Sequence, residues 1–144
     1  MGDKLIDAIY NTLKRDEQFM AFFGLTPSSP SESIVRRMVK GIEPDKAITS
    51  QDVPMMLIYL KPGRFSRNYL VYEGKFILDI YGKNSNQAKQ IADRVFELFH
   101  DKHIRDKNFM SSRCFLAYAD YFATGISGVK GYESIFDVNY HRIN

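Results

Sequence analysis

A chain of 144 residues, 44% hydrophobic and 26% charged, has globular composition and enough apolar material for one core. One domain over 1–144 is expected, folding without a metal or disulfide staple, since Cys114 is the single cysteine. A net charge of +3, spread over scattered basic residues, argues against a dense polyanion-binding surface, and no apolar run approaches the ~20 residues of a membrane span.

The N-terminus lacks the apolar region of a signal peptide, so the sequence reads as a soluble protein made in the cytoplasm. Asp3 is positioned to cap a helix carrying Leu5, Ile6, Ile9, Tyr10 and Leu13, with Lys14 and Arg15 at its negative pole. Asp16 then caps a short turn, Glu17 to Phe23, that Gly24 ends. Phe19, Met20, Phe22 and Phe23 make that turn a core plug, with a subunit contact as the other reading. Thr26 to Ser33 is a loop by composition. Ile34 to Val39 fits a short strand and a helical turn equally. Gly41 to Val53 is a long polar connection of the kind used for binding.

Pro54 introduces a strand, Met55 to Leu60, and Lys61 to Asn68 breaks it. Strand character resumes from Tyr69 to Tyr81, with Gly74 as a bulge. The pair predicts an antiparallel hairpin with Arg64, Phe65 and Arg67 around its tip. Phe76, Leu78 and Ile80 share one face, while Asp79 interrupts the other between Ile77 and Tyr81. Asn84 or Ser85 caps the strongest helix of the chain, in which Ala88, Ile91, Ala92, Val95 and Phe99 recur at three- and four-residue steps. Asp101 to Ser112 reads as a polar loop, Arg113 to Ala123 as a strand, Thr124 to Gly131 as a glycine-rich turn, and Tyr132 to His141 as the last strand. The sum is an α+β domain. A mainly antiparallel sheet of about four strands packs against the N-terminal helix and the long helix.

Little in the sequence suggests catalysis, and no cofactor or metal is expected. His100 and His103 sit three apart without a marked third ligand, and solvated histidines complementing the helix dipole are the better expectation. Cys114 falls in an apolar strand, where thiols are inert. Asp79 and Asp137 read as solvated or ion-paired. Gly125, Gly128 and Gly131 match neither a dinucleotide fingerprint nor a P-loop. The tip R-F-S-R-N-Y is the nearest thing to a nucleic-acid surface, which makes a single-domain nucleic-acid-binding module the alternative reading. A metal enzyme around His100, Asp101 and His103 is weaker still.

The order and wording of the elements resemble a family. LIDAIYNTLKRDEQF opens the chain, a greasy turn ends at Gly24, and a strand starts at Pro54. FILDIYGK, QAKQIADRVFELF and a final strand G-x-K-G-Y-x-S-x-F-D-V from Gly128 to Val138 follow. Across residues 3 to 141 this is similar to the small tail-completion proteins of long-tailed bacteriophages, the tail terminators and tail-to-head joining proteins. The resemblance implies a non-enzymatic virion protein, assembled in the host cytoplasm and found at the head–tail joint. Such proteins form a homo-oligomeric ring, usually hexameric, on the tail tube, stop its polymerisation and offer a surface to the head-completion connector. DNA passes through as cargo, and no membrane is involved. The segments expected to meet neighbours are the tip (Arg64, Phe65, Arg67), the connection around Glu43, Asp45 and Asp52, and the aromatic edge Tyr118, Tyr121 and Phe122.

Overall fold

The computed structural model describes residues 3–41, 48–65, 67, 71–107 and 109–141. Three helices open the chain: α1 (Asp3–Lys14), α2 (Glu17–Ala21) and α3 (Ser31–Arg37). Strands β1 (Met38–Lys40), β2 (Met55–Phe65) and β3 (Val71–Gly82) lead to helix α4 (Ser85–Phe99). Strands β4 (Lys102–Asp106), β5 (Phe109–Phe122) and β6 (Lys130–His141) complete it. The α+β class stands, but the sheet has six strands, in the order β1-β2-β3-β6-β5-β4. It is also mixed: β1 runs parallel to β2, and every other neighbouring pair is antiparallel.

Strand β3 and helix α4 form the organising unit. Asn84 Oδ1 accepts the Gln87 N–H at 2.8 Å, and Gln87 Oε1 accepts the Lys83 N–H at 2.8 Å. These reciprocal bonds satisfy donors that a helix start leaves open. Ala88, Ile91, Ala92, Val95 and Phe99 are buried against the sheet. Phe76 of β3 lies flat against Phe136 of β6 at 5.1 Å and meets Phe99 edge-on at 5.4 Å. Helix α1 adds Leu5, Ala8, Ile9 and Leu13 to the same core. It is tied to β4 by Asn11, whose Nδ2 donates to Asp106 Oδ2 at 2.8 Å. Phe19, Met20 and Phe23 plug the core as expected, and Phe22 is half-buried. Asp16 caps α2 by accepting the Phe19 N–H at 2.8 Å, and the same carboxylate grips Arg94 of α4 at 2.6 and 2.9 Å.

Several local expectations are corrected. Helix α1 begins at Asp3 itself. Ile34 to Val39 is both helix and strand: α3 ends at Arg37, and Ile34 and Met38 are each buried on the way into β1. Strand β2 continues through Lys61-Pro62-Gly63-Arg64-Phe65 instead of breaking. Lys61 faces Lys75 and Arg64 faces Glu73, so the extra residue lies in β2, across from Gly74. A bulge is where a strand tolerates a proline. Asp101 to Ser112 is no loop but β4 and the start of β5. Ile104 is the one apolar residue of β4, and the Ser111 hydroxyl accepts the Ile104 N–H at 3.0 Å where the pairing is irregular. Gly131 belongs to β6, not to the turn. A Cβ there would come within 2.5 Å of the Phe122 ring, so the ring needs a bare backbone beneath it.

Candidate functional site

The sheet face turned away from the helices is not simply solvated. Met55, Leu57, Ile77 and Ile135 are buried on it. Pairing register sets Asp79 between Leu57 of β2 and Glu133 of β6. The Tyr59 hydroxyl donates to Asp79 Oδ2 at 2.7 Å, while Oδ1 is buried without a partner. Asp79 is only 8% exposed. Burial, followed by the adjacent Glu133 carboxyl, pushes the Asp79 carboxyl up to about 7, against the pull of Tyr59. With Oδ1 buried and unpartnered and the Glu133 carboxyl on the neighbouring strand, the protonated form of Asp79 is favoured over the charged one. Burial and the neighbouring Asp79 also raise the Tyr59 phenol, which stays a donor.

Asp79 is therefore neither solvated nor ion-paired, contrary to the sequence expectation. Asp137 does follow it, being exposed and paired with Lys75. The register partner of Asp137 on β3 is Lys75 itself. His100 is not freely solvated either. Its ring stacks on Phe96 at 4.4 Å, and its Nδ1 accepts the Leu116 N–H at 3.0 Å. His103 Nδ1 lies 2.9 Å from the Ser111 carbonyl oxygen. Among the described residues, no three His, Cys, Asp or Glu side chains gather as a metal set. Cys114 is buried, and that burial pushes its thiol up to about 11, consistent with packing and not chemistry.

Among the described residues, most of the exposed large apolar side chains lie on strand β5, with Val35 of α3 and Phe96 of α4 apart from it. Tyr118 and Tyr121 are 50% and 48% exposed, and Met110 and Phe115 are comparably open. Tyr121 meets Tyr132 edge-on at 4.9 Å. Phe115 approaches the His100 ring edge-on at 5.9 Å, extending the strip to Phe96 on α4. Phe122 differs from its expected neighbours. It is half-buried over Gly131 and edge-on to Tyr81 at 5.5 Å. Met110, Phe115 and Phe96 were not singled out in the sequence. The signal was there in strand alternation, which sets Phe115 on the face opposite the buried Cys114.

The other predicted contact residues lie elsewhere. Arg64 and Phe65 are the last residues of β2, and Arg67 is exposed beyond them. Asp52 is exposed and shapes its own turn, with Oδ2 accepting the Thr49 N–H at 2.8 Å. Glu43 and Asp45 lie outside the described residues. Strand register separates the tip from the aromatic strand end. The end of β2 is level with Glu73 and Tyr72 of β3, and through them with Asn139 and Tyr140 of β6. Tyr118 to Phe122 is level with Ile135 to Gly131. The two predicted surfaces thus occupy opposite ends of the sheet.

Neither a family model nor a curated protein matches the chain. Among solved structures, the fold is similar to that of a chain from the virion of a native gene transfer agent particle. The TM-score is 0.66 at 11% identity, and the match covers 96% of this chain and 95% of that one.

Proposed function

We propose that this chain is a structural component of a phage-like particle and not an enzyme. In this reading it is a single domain that assembles as a ring, hexameric by the resemblance, on the end of a tail tube. It halts tube polymerisation and joins the tail to the head-completion connector. DNA passes through the ring as cargo. Assembly takes place in the host cytoplasm and the product resides in the virion, with no cofactor and no membrane.

The observation that carries the reading is the end-to-end fold likeness to a chain of a virion particle, nearly complete over both lengths. The sequence resemblance to tail-completion proteins adds the finer role. The half-exposed aromatics of β5 support it too, because apolar area left open on one strand suits contact with other proteins. Light scattering with electron micrographs of tail tubes tests it. A ring, or a concentration-dependent oligomer that decorates tube ends, is expected. A strict monomer that leaves tube ends bare would refute it.

A further inference from the structure

Basic residues that are scattered in the sequence meet at one corner of the fold. Helix α1 packs against β4, so Lys14 and Arg15 at its end come to the strand that carries Lys102 and Arg105. Arg15 Nη2 donates to the Arg105 carbonyl oxygen at 3.2 Å. Lys107 follows β4 directly, and Arg113 of β5 is the register partner of His103. All of these cations are exposed except Lys14, which is half-buried. Two acids stand among them: Asp101 lies 3.4 Å from Arg113, and Asp106 lies 3.9 Å from Arg15. Among the described residues, Lys14, Lys102, Arg105 and Lys107 have no carboxylate within ion-pair distance. Arg105 pairs with Met110, beside Ser111, and the register runs on through Tyr140 and Tyr72 to Phe65. The corner therefore lies at the same end of the sheet as Arg64 and the hairpin tip.

The chain has 20 Lys and Arg against 17 Asp and Glu. Setting aside the six bases and two acids of the corner leaves fourteen bases and fifteen acids elsewhere. The positive excess of the whole protein is thus concentrated here. The C-terminal ends of α1 and α4 also come to this corner, and Lys102 Nζ donates to the Glu97 carbonyl oxygen at 2.6 Å. At about half a negative charge each, the two helix ends offset roughly one of the four surplus charges. Of the exposed large apolar side chains, only Met110 falls within the corner. A protein interface has an apolar, aromatic centre depleted of lysine, whereas an interface with a phosphate backbone is strongly positive. Tyr118 and Tyr121 offer the first kind of surface, toward the other end of the sheet. The corner offers the second. At ~3.4 Å per residue β4 is about 17 Å long, which spans roughly five phosphates of one strand of a duplex.

We propose that the basic corner formed by the end of α1, strand β4 and Arg113 is the surface of this chain that meets DNA. It holds the phosphate backbone by charge and reads no sequence. This rests on the ring reading above, in which DNA passes through as cargo, and names the face turned toward that cargo. Exposed lysine and arginine side chains on a strand and a helix end make contacts that form and release quickly, which suits a polymer that slides.

Fluorescence anisotropy with a short labelled DNA duplex of arbitrary sequence tests it. Binding is expected at 50 mM salt, with affinity falling roughly 100-fold by 200 mM if about four phosphates are neutralised. The double variant Arg105→Glu with Lys107→Glu should lower affinity at 50 mM salt by about tenfold or more. Lys83→Glu with Lys130→Glu makes the same change in net charge at the opposite end of the sheet and should lower it by less than about threefold. All four side chains are exposed, so both variants should keep the parent's unfolding temperature. No binding at 50 mM salt, or equal losses from the two variants, would overturn the assignment. So would displacement of the duplex by an equal concentration of poly-glutamate, which would mark the corner as a site for an acidic protein. If the unsubstituted chain caps tubes but ignores DNA, the DNA surface falls and the ring reading stands. If it binds DNA through this corner but never caps tubes, the surface stands and the ring reading falls.

Discussion

Replacing Asp79 by Asn should stabilise the protein at alkaline pH and change little in mild acid. The Asp79 carboxyl is held at about 7, chiefly by burial, against 3.8 ordinarily. Between those values the folded chain binds a proton that the unfolded chain has released. Stability therefore falls as pH rises through the window from about 4 to 7. A shift of about 3 units corresponds to a ceiling of roughly 4 kcal/mol at 1.36 kcal/mol per unit. Coupling to Glu133, which water reaches, discounts this to about 2 kcal/mol. Asn keeps an oxygen for the Tyr59 hydroxyl and turns an N–H₂ toward Glu133, so the orphaned position gains a donor without a charge. Thermal unfolding of both proteins from pH 5 to pH 8 measures the difference and cancels every group they share. The unsubstituted protein should lose roughly 5–10 °C relative to the Asn variant over that range. An Asn variant less stable at pH 8, or a difference that does not change with pH, would refute the raised Asp79 carboxyl.

Other substitutions probe the remaining supports. Phe136→Ala removes a ring packed on both Phe76 and Phe99 and should cost about 3–5 kcal/mol in chemical denaturation. Gly131→Ala should cost about 1–3 kcal/mol, and much of that should vanish in a Phe122→Ala background, because the added methyl meets that ring. Asp16→Ala removes both the α2 cap and the grip on Arg94, for about 1–3 kcal/mol near neutral pH. The bond to Arg94, foremost, holds the Asp16 carboxyl below its ordinary value, so that contribution is lost as acid protonates it and the variant should converge on the parent at low pH. Tyr118→Ser with Phe115→Ser should leave the unfolding temperature nearly unchanged while weakening self-association in sedimentation.

The parts of the fold legible in the sequence are those where local chemistry and burial agree. Helix α4 announces itself because Asn84 caps it and one stripe of its surface is apolar. The core face of β3 follows from strict alternation of Phe76, Leu78 and Ile80. β4 is not legible because Lys-His-Ile-Arg-Asp buries a single residue, Ile104, and its pairing depends on a Ser111 hydroxyl that no periodicity encodes. β1 is ambiguous in sequence because three residues are too few for alternation, and its place is fixed by β2, remote in sequence. The setting of Asp79 is hidden for a related reason. A lone acid on a strand face reads as solvated unless Tyr59 and Glu133, from two other strands, are known to stand beside it. The aromatic edge was readable at Tyr118 and Tyr121, but Phe122 was not separable from them without seeing Gly131 beneath its ring.

The central claim is that this chain caps a growing tube. The most direct measurement adds purified protein to tail-tube subunits during polymerisation and follows tube length by electron microscopy. Tubes should stop growing and carry a ring at one end, with mean length falling as the protein is added. Tubes of unchanged length with bare ends, at concentrations where the chain is in excess over tube ends, would contradict the account.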